Sequence, residues 1–352
     1  MKFDFCIGNP PYQESQEATS DKPVYNHFID AAYDIADKVE LITPARFLFN
    51  AGKTPKTWNQ KMLDDEHVKV AYYEQDSSKV FSNTDIKGGV AITYRDADKC
   101  CGAIETFTQF SELNHILKKV KSRIVNSISD FVFSPESYKF TNDLYVDHPE
   151  ILEMKSIVKG KEVPLISKGH EKDLTSNIFD KLFGIVFFQE KPLDGAEYVQ
   201  IAGRMNNSRV CLWIKKNYIA NHDNLHMYKV FFPKASGSGK FGESLSDAIV
   251  AKPEVGHTQT FISIGTFKTQ EEAECANKYL RSKFARALLG VLKVTQDNKK
   301  SVWKYVPLQD FTSSSDIDWS QSIANIDKQL YKKYNLSDEE INFIETNVKE
   351  ME

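Results

Sequence analysis

The chain opens with short apolar runs separated by amphipathic stretches. Phe3, Phe5, Cys6 and Ile7 form an apolar strand that stops at Gly8. Tyr25, Phe28, Ile29, Ala32, Tyr33, Ile35 and Ala36 recur at helical spacing, which predicts a helix. Residues 39–43 read as the next buried strand, 58–63 as a helix, and 68–73 and 89–94 as strands. Strands separated by helices imply βα units and a mostly parallel sheet. Such sheets place ligands at the carboxyl ends of their strands.

After residue 100 the pattern changes. Residues 110–128 fit a connecting helix with Leu113, Ile116, Leu117, Val120 and Ile124 on one side. From 130 to 265 short strands alternate with polar turns, with strands expected at 183–188, 197–201, 210–214, 228–232 and 260–264. Turn signals include Asn206-Asn207-Ser208 and Ser236-Gly237-Ser238-Gly239. Residues 269–289 read as a single amphipathic helix. The last helix starts with a capping box, Ser337 and Glu340, stapled by Leu336 and Ile341. The fold class is therefore α/β, with a first domain at 1–100, a connecting helix at 101–130, a β-rich mixed α+β domain at 131–315 and a helical tail at 316–352.

Composition changes this picture only in one respect. A chain of 352 residues, 41% hydrophobic and 27% charged, has the make-up of a globular protein. It holds no apolar run approaching 18 residues, and its N-terminal residues do not resemble a signal peptide. Five cysteines without a Cys-x-x-Cys pair fit free thiols in the cytoplasm. The net charge of −4 argues against a nucleic-acid partner, but it averages unlike regions. Residues 199–310 carry 17 Lys and Arg against 9 Asp and Glu, whereas residues 1–198 carry 24 against 31 and the remaining tail 4 against 9. The basic stretch is the one charge signal for a phosphate-bearing partner.

The most informative segment is Asn9-Pro10-Pro11-Tyr12, directly after the first apolar strand. Two prolines fix φ and donate no hydrogen bonds, so the loop is stiff and its carbonyls face outward. An amide side chain and backbone carbonyls are thereby prepared to accept from an amino group, beside an aromatic ring. A plain strand-terminating turn with an exposed tyrosine is the competing reading.

With this motif the sequence resembles the N6-adenine DNA methyltransferases, especially the methylases of Type II and Type IIG restriction-modification systems. Residues 41–48, 79–81 and 85–92 are similar to that family's next strand and later strand elements. The glycine-rich loop at 234–242 and the 269–310 region resemble its specificity domain. The resemblance implies a partial Rossmann-like methyltransferase sheet, followed by a target-recognition domain for double-stranded DNA. It also implies base flipping, since an adenine amino group is out of reach inside the stack. Asn9 and the Pro10 carbonyl would accept the amino hydrogens, with Pro11 keeping the loop rigid. Tyr12 and Phe81 would hold the two faces of the ring. S-adenosylmethionine would be the methyl donor, and no metal is called for.

The family's cofactor-binding half normally precedes this motif, so residues binding the cofactor are not identified, and Asn9 and Pro10 would lie near it. Either a second polypeptide supplies that half, or the chain is a truncated product. Gly237-Ser-Gly239-Lys-Phe-Gly242 formally matches a dinucleotide turn, but no strand-helix-strand unit follows, so it reads as a flexible, phosphate-facing loop. Arg204, Asn206, Asn207 and Arg209 at a turn, Lys234 and Lys240 around the glycine-rich loop, and Lys299, Lys300 and Lys304 beside Trp303 are candidate DNA contacts. His222 and His226 have helical metal-ligand spacing but no third ligand, so a surface turn is expected. The expected function is an adenine-specific DNA methyltransferase component, incomplete as a single chain. The alternative is a non-catalytic DNA-binding or specificity module derived from one.

Overall fold

The computed structural model describes residues 2–14, 22–82, 84, 86, 88–158 and 161–351. Asp85 and Lys87, in the segment that resembles a later strand, lie outside the described residues. The chain divides into two compact units, Met1–Asn114 and His115–Glu352. Both mix α and β structure, with several sheets and, among the described residues, nine α-helices. None of these helices is long and apolar enough to cross a membrane.

The first unit is built on a four-stranded sheet. Its order is Phe3–Gly8, Ala36–Pro44, Val90–Asp96, Val68–Glu74. The first two strands are parallel, with Phe5 opposite Lys38 and Gly8 opposite Leu41, and helix Tyr25–Ile35 joins them. The 90–96 strand runs antiparallel to both its neighbours. The expected mostly parallel sheet is therefore corrected to one parallel and two antiparallel pairs. The cause is the connection from 74 to 90, which among its described residues carries the short turn Ser77–Lys79 and no crossover helix. Without a crossover element the chain returns beside its neighbour in the opposite sense.

One face of this sheet is closed by the helices. Tyr25, Ile29 and Ala32 pack with Val39 and Leu41 of the sheet and with Trp58, Met62 and Leu63 of helix Lys56–Asp64. The rings of Tyr25, Phe47 and Trp58 meet at centroid distances of 5.3–6.2 Å. Phe3, Phe5 and Ile7 alternate along the first strand onto the other face and are 64%, 59% and 75% exposed. That strand is the outer member of the sheet, so one of its edges pairs with no strand among the described residues.

The second unit holds a three-stranded sheet in the order Ser208–Lys215, Tyr198–Met205, Val255–His257. A four-stranded sheet runs Ile249–Ala251, Tyr228–Pro233, Phe261–Phe267, Val132–Phe133. Two expectations fail here. Residues 183–188 form isolated bridges rather than a strand, following the short helix Ile178–Leu182. The 269–289 helix is two helices, Gln270–Arg281 and Lys283–Leu289, broken at Ser282. Ser282 Oγ accepts from Ala285 N, and the Asp327 carboxylate accepts from the backbone of Lys283 and Phe284 at 3.0 and 2.9 Å. These acceptors satisfy the amides of a new helix start, which periodicity does not reveal. Asp327 belongs to helix Ile323–Lys333, so the tail packs onto this unit. The Ser337–Glu340 capping box forms at the start of Asp338–Asn347.

Candidate active site and nucleic-acid interface

The two parallel strands of the first unit end side by side. At the end of the first, Asn9 to Tyr12 leave the sheet. At the end of the second, Pro44 leads into the turn Ala45–Phe49. Between them lies a cavity of about 840 Å³, lined by Asn9, Pro10, Pro11, Tyr12 and Gln13, together with Tyr25, Pro44, Arg46, Lys53 and Ile86. The residue pattern singled out Asn9 to Tyr12 but not Tyr25, Arg46 or Lys53. The available signal for Arg46 was its place just beyond the carboxyl end of a parallel strand.

Tyr12 is fixed on both sides. Its carbonyl accepts from Val24 N at 3.1 Å, and its ring meets Phe81 edge-on at 6.5 Å. Burial pushes the Tyr12 phenol above its ordinary pKa, and the neighbouring Asn9 amide opposes that shift. The hydroxyl itself is buried and has no partner in hydrogen-bonding geometry. Phe81 is held by a small polar framework. Its amide donates to Ser77 O, its carbonyl accepts from Thr84 Oγ1 at 2.8 Å, and the buried Ser77 Oγ accepts from Ile86 N at 2.8 Å. Sequence reading found Phe81 but not Ser77 and Thr84, which position it.

The 44–46 segment that lines the cavity is tied to the sheet through Gly89. The φ of Gly89 is +76°, and a Cβ there would come 2.2 Å from the Glu74 carbonyl. Only glycine allows this close approach. Gly89 O then accepts from Ala45 N at 3.0 Å and ties the 44–46 segment to the sheet.

The expected DNA contacts lie in the second unit. Asn206 and Asn207, both at positive φ, make the two-residue turn between strands 198–205 and 208–215. Arg204 donates to Asn207 Oδ1 at 3.0 Å. Arg209 donates to Asp247 O at 2.8 Å and lies 5.7 Å from the Phe261 ring centre. Phe261 pairs with Pro233, and Lys234 N donates to Thr260 O, so Lys234 directly follows the residue that pairs with Phe261. Lys234 O in turn accepts from Asn298 N, which brings Lys299 and Lys300 to the same region, with Lys304 a turn further along. Lys234, Lys240, Lys299, Lys300 and Lys304 are all exposed.

The glycine-rich loop differs from its expected role. The amides of Ser238 and Gly239 each donate to the Glu243 carboxylate at 2.7 Å, and Ser238 Oγ adds a third bond. Burial favours a higher Glu243 pKa, but the two amides more than offset it and the carboxyl titrates below its ordinary range. The buried Lys293 approaches the same carboxylate at 3.4 Å and donates to Ser236 O and Thr295 O. The anion in this cradle is the chain's own. The loop is thus neither free nor phosphate-facing. His222 caps the start of the turn Asp223–His226 and His226 ends it, in contact with Glu254 and Asn221. Among the described residues no cluster of three metal-ligating side chains occurs.

Residues 1–81 match the family model of the Eco57I restriction-modification methylase. An uncharacterized adenine-specific methylase of Mycoplasma pneumoniae (strain ATCC 29342 / M129 / Subtype 1) is 34% identical over 95 residues, which are 26% of this chain and 22% of that protein. The crystal structure of the type IIG restriction endonuclease BpuSI aligns with 88% of this chain and 44% of its own, at 10% identity and a TM-score of 0.29, too distant to bear on the fold. The chain spans about a fifth of the curated relative it matches. The two sequence matches support a methyltransferase role, and both are short. The Asn9 to Tyr12 loop, Arg46 and Phe81 all fall within the 81 matched residues.

Proposed function

We propose that the protein is the base-holding and DNA-recognition component of an adenine-specific N6 DNA methyltransferase of a restriction-modification system. The observation that carries this reading is the cavity at the carboxyl ends of the two parallel strands, walled by Asn9 to Tyr12 inside the segment that matches the methylase family. In this reading an adenine turned out of the duplex enters the cavity. The Asn9 side-chain oxygen and the Pro10 carbonyl accept its two amino hydrogens. That draws the nitrogen lone pair out of conjugation and leaves it ready to attack an electrophilic methyl group. Tyr12 stacks on the ring, at about 1–3 kcal/mol per stacked base, which offsets part of the unstacking cost, while Phe81, edge-on to Tyr12 and outside the cavity lining, braces Tyr12 rather than the far face of the base as expected.

S-adenosylmethionine is the donor that this reading implies, but the cavity lining does not fit it. The lining contains Arg46 and Lys53 and no carboxylate. Its two cations give it the wrong charge for a sulfonium. The donor site is therefore assigned to a second polypeptide. The free edge of the first strand and its exposed Phe3, Phe5 and Ile7 supply a surface for it. Arg204, Asn206, Asn207, Arg209, Lys234, Lys240, Lys299, Lys300 and Lys304 are the proposed contacts to duplex DNA, working from the basic 199–310 stretch of the second unit.

The test is a pull-down and activity assay in cells that encode the protein. The tagged chain should co-purify with a protein that binds S-adenosylmethionine, and the pair should methylate adenine in duplex DNA. Sequence-selective DNA binding that persists without any methylation, and is unchanged by Asn9→Ala, would establish the non-catalytic specificity module instead.

A further inference from the structure

The first unit has two arginines, Arg46 and Arg95, and the fold uses them in opposite ways. Arg95 is consumed internally. Its Nε donates to Asp65 at 3.1 Å, and its guanidinium lies 4.7 Å from the Tyr33 ring centre. Arg46 lines the same cavity as Asn9 to Tyr12, its side chain is exposed, and no carboxylate among the described residues comes within ion-pairing distance of it.

Arg46 is open at its head and held at its root. Its carbonyl accepts from Ala51 N at 3.0 Å, and the Asn50 amide, at a left-handed φ of 50°, caps the same turn. Gly52 and Gly88 close on its stem. A Cβ on Gly88 would lie 2.6 Å from Arg46 Cγ, and one on Gly52 would lie 3.3 Å from Arg46 Cβ. Its charge is felt inside the cavity. Burial raises the Tyr25 phenol, and a hydrogen bond from Thr54 and the Arg46 charge both oppose this. Arg46 is thus a cation at the cavity, with no acid among the described residues that line it, and it favours an anionic group there.

A base cannot enter this cavity alone, because its sugar carries a phosphodiester on each side. The guanidinium fork matches two phosphate oxygens. We propose that Arg46 is a phosphodiester-binding residue that grips the backbone phosphate next to the nucleotide seated at Asn9 to Tyr12, and so positions that nucleotide. This rests on the base-holding reading given above.

The experiment compares two single-stranded heptamers, each with one central adenine among thymines, by fluorescence anisotropy with the full chain. One has natural linkages. The other has neutral methylphosphonates on both sides of the adenine. The unaltered chain should bind the natural oligonucleotide about tenfold more tightly than the neutral one, as for a charge-assisted hydrogen bond. Arg46→Gln should lose that preference, and its log Kd against log salt should flatten by about one contact. Arg46→Lys should recover part of the affinity, and thermal midpoints of all variants should match because the side chain is exposed.

Equal discrimination by Arg46→Gln and the unaltered chain overturns the proposal. So does unchanged oligonucleotide affinity together with weaker binding of S-adenosylmethionine, which would make the anion a donor carboxylate. An abasic site in place of the adenine separates the two claims. If the abasic heptamer binds as tightly while the Arg46-dependent preference persists, the phosphate site stands and the base site falls. If adenine is preferred but Arg46 is indifferent to the linkage, the reverse holds.

Discussion

Two loops in this chain look alike in sequence and differ in structure. Each follows an apolar strand, and each is built from residues that suit a ligand: Asn9-Pro10-Pro11-Tyr12 in the first unit and Ser236 to Gly242 in the second. The first lines a cavity and leaves the buried Tyr12 hydroxyl without a partner. The second has already closed on Glu243 and Lys293. The lesson is that backbone donors and glycines specify a cradle but not its occupant. A carboxylate one residue past the last glycine converts a phosphate-like nest into an internal brace.

That contrast can be broken most severely at Asn9. Asn9→Ala should reduce adenine methylation by about 10²–10³-fold, the usual cost of losing one oriented polar group at a reacting centre. Thermal stability should not change, because Asn9 is exposed. A loss of stability on the same scale as the loss of activity would instead make the loop a structural brace like its counterpart.

At Glu243 the expectation reverses. Glu243→Ala strands the buried Lys293 and two loop amides, and should cost about 3 kcal/mol of stability in urea unfolding. Binding of inorganic phosphate at this loop, read from the Ser238 and Gly239 amide resonances, should not appear in the unaltered chain. If it does, and Glu243→Ala strengthens it, the loop is a phosphate site that Glu243 merely guards.

A smaller effect concerns acid stability. His257 is fully buried, donates through Nδ1 to Thr258 O, and leaves Nε2 without a partner. Burial lowers its pKa from 6.5 to about 3. The unfolded chain therefore binds more protons between these values, and stability falls as pH drops from 6.5 toward 3. The slope is at most about 1.4 kcal/mol per pH unit. Asp327 acts the other way: burial raises its pKa from 3.8 to about 6, so its contribution is lost as pH rises through that window. The difference between the unaltered chain and His257→Leu cancels the Asp327 part. That difference, measured by chemical denaturation from pH 7 to 4, should shrink in acid. A constant difference would mean that His257 does not titrate on unfolding.

Tyr12→Phe should change least. The hydroxyl has no partner, so its removal should shift stability by less than about 0.5 kcal/mol and spare base stacking. A drop in methylation beyond threefold would give the hydroxyl a role that its surroundings do not supply.

The strand and helix order of the first unit was legible because each element carries its own periodicity. So was the Asn9 to Tyr12 loop, because rigidity and acceptor groups are local properties. The reversed direction of the 90–96 strand was not, since it depends on a connection lacking a helix. The break at Ser282 was hidden because its second acceptor, Asp327, comes from far along the chain. Arg46 was quoted as part of a strand and loop but not as a site residue. Its proposed role rests on Gly52 and Gly88 closing on its stem and on the absence of an acidic neighbour among the described residues, and neither is a property of adjacent residues.

The central claim is that Asn9 holds an adenine for methylation. It is tested most directly by mapping N6-methyladenine across the genome of the cell that encodes this protein, with the gene intact and with Asn9→Ala in its place. The account predicts one sequence motif that is methylated in the first strain and unmethylated in the second, with equal protein levels in both. An identical methylation map in the two strains would contradict it.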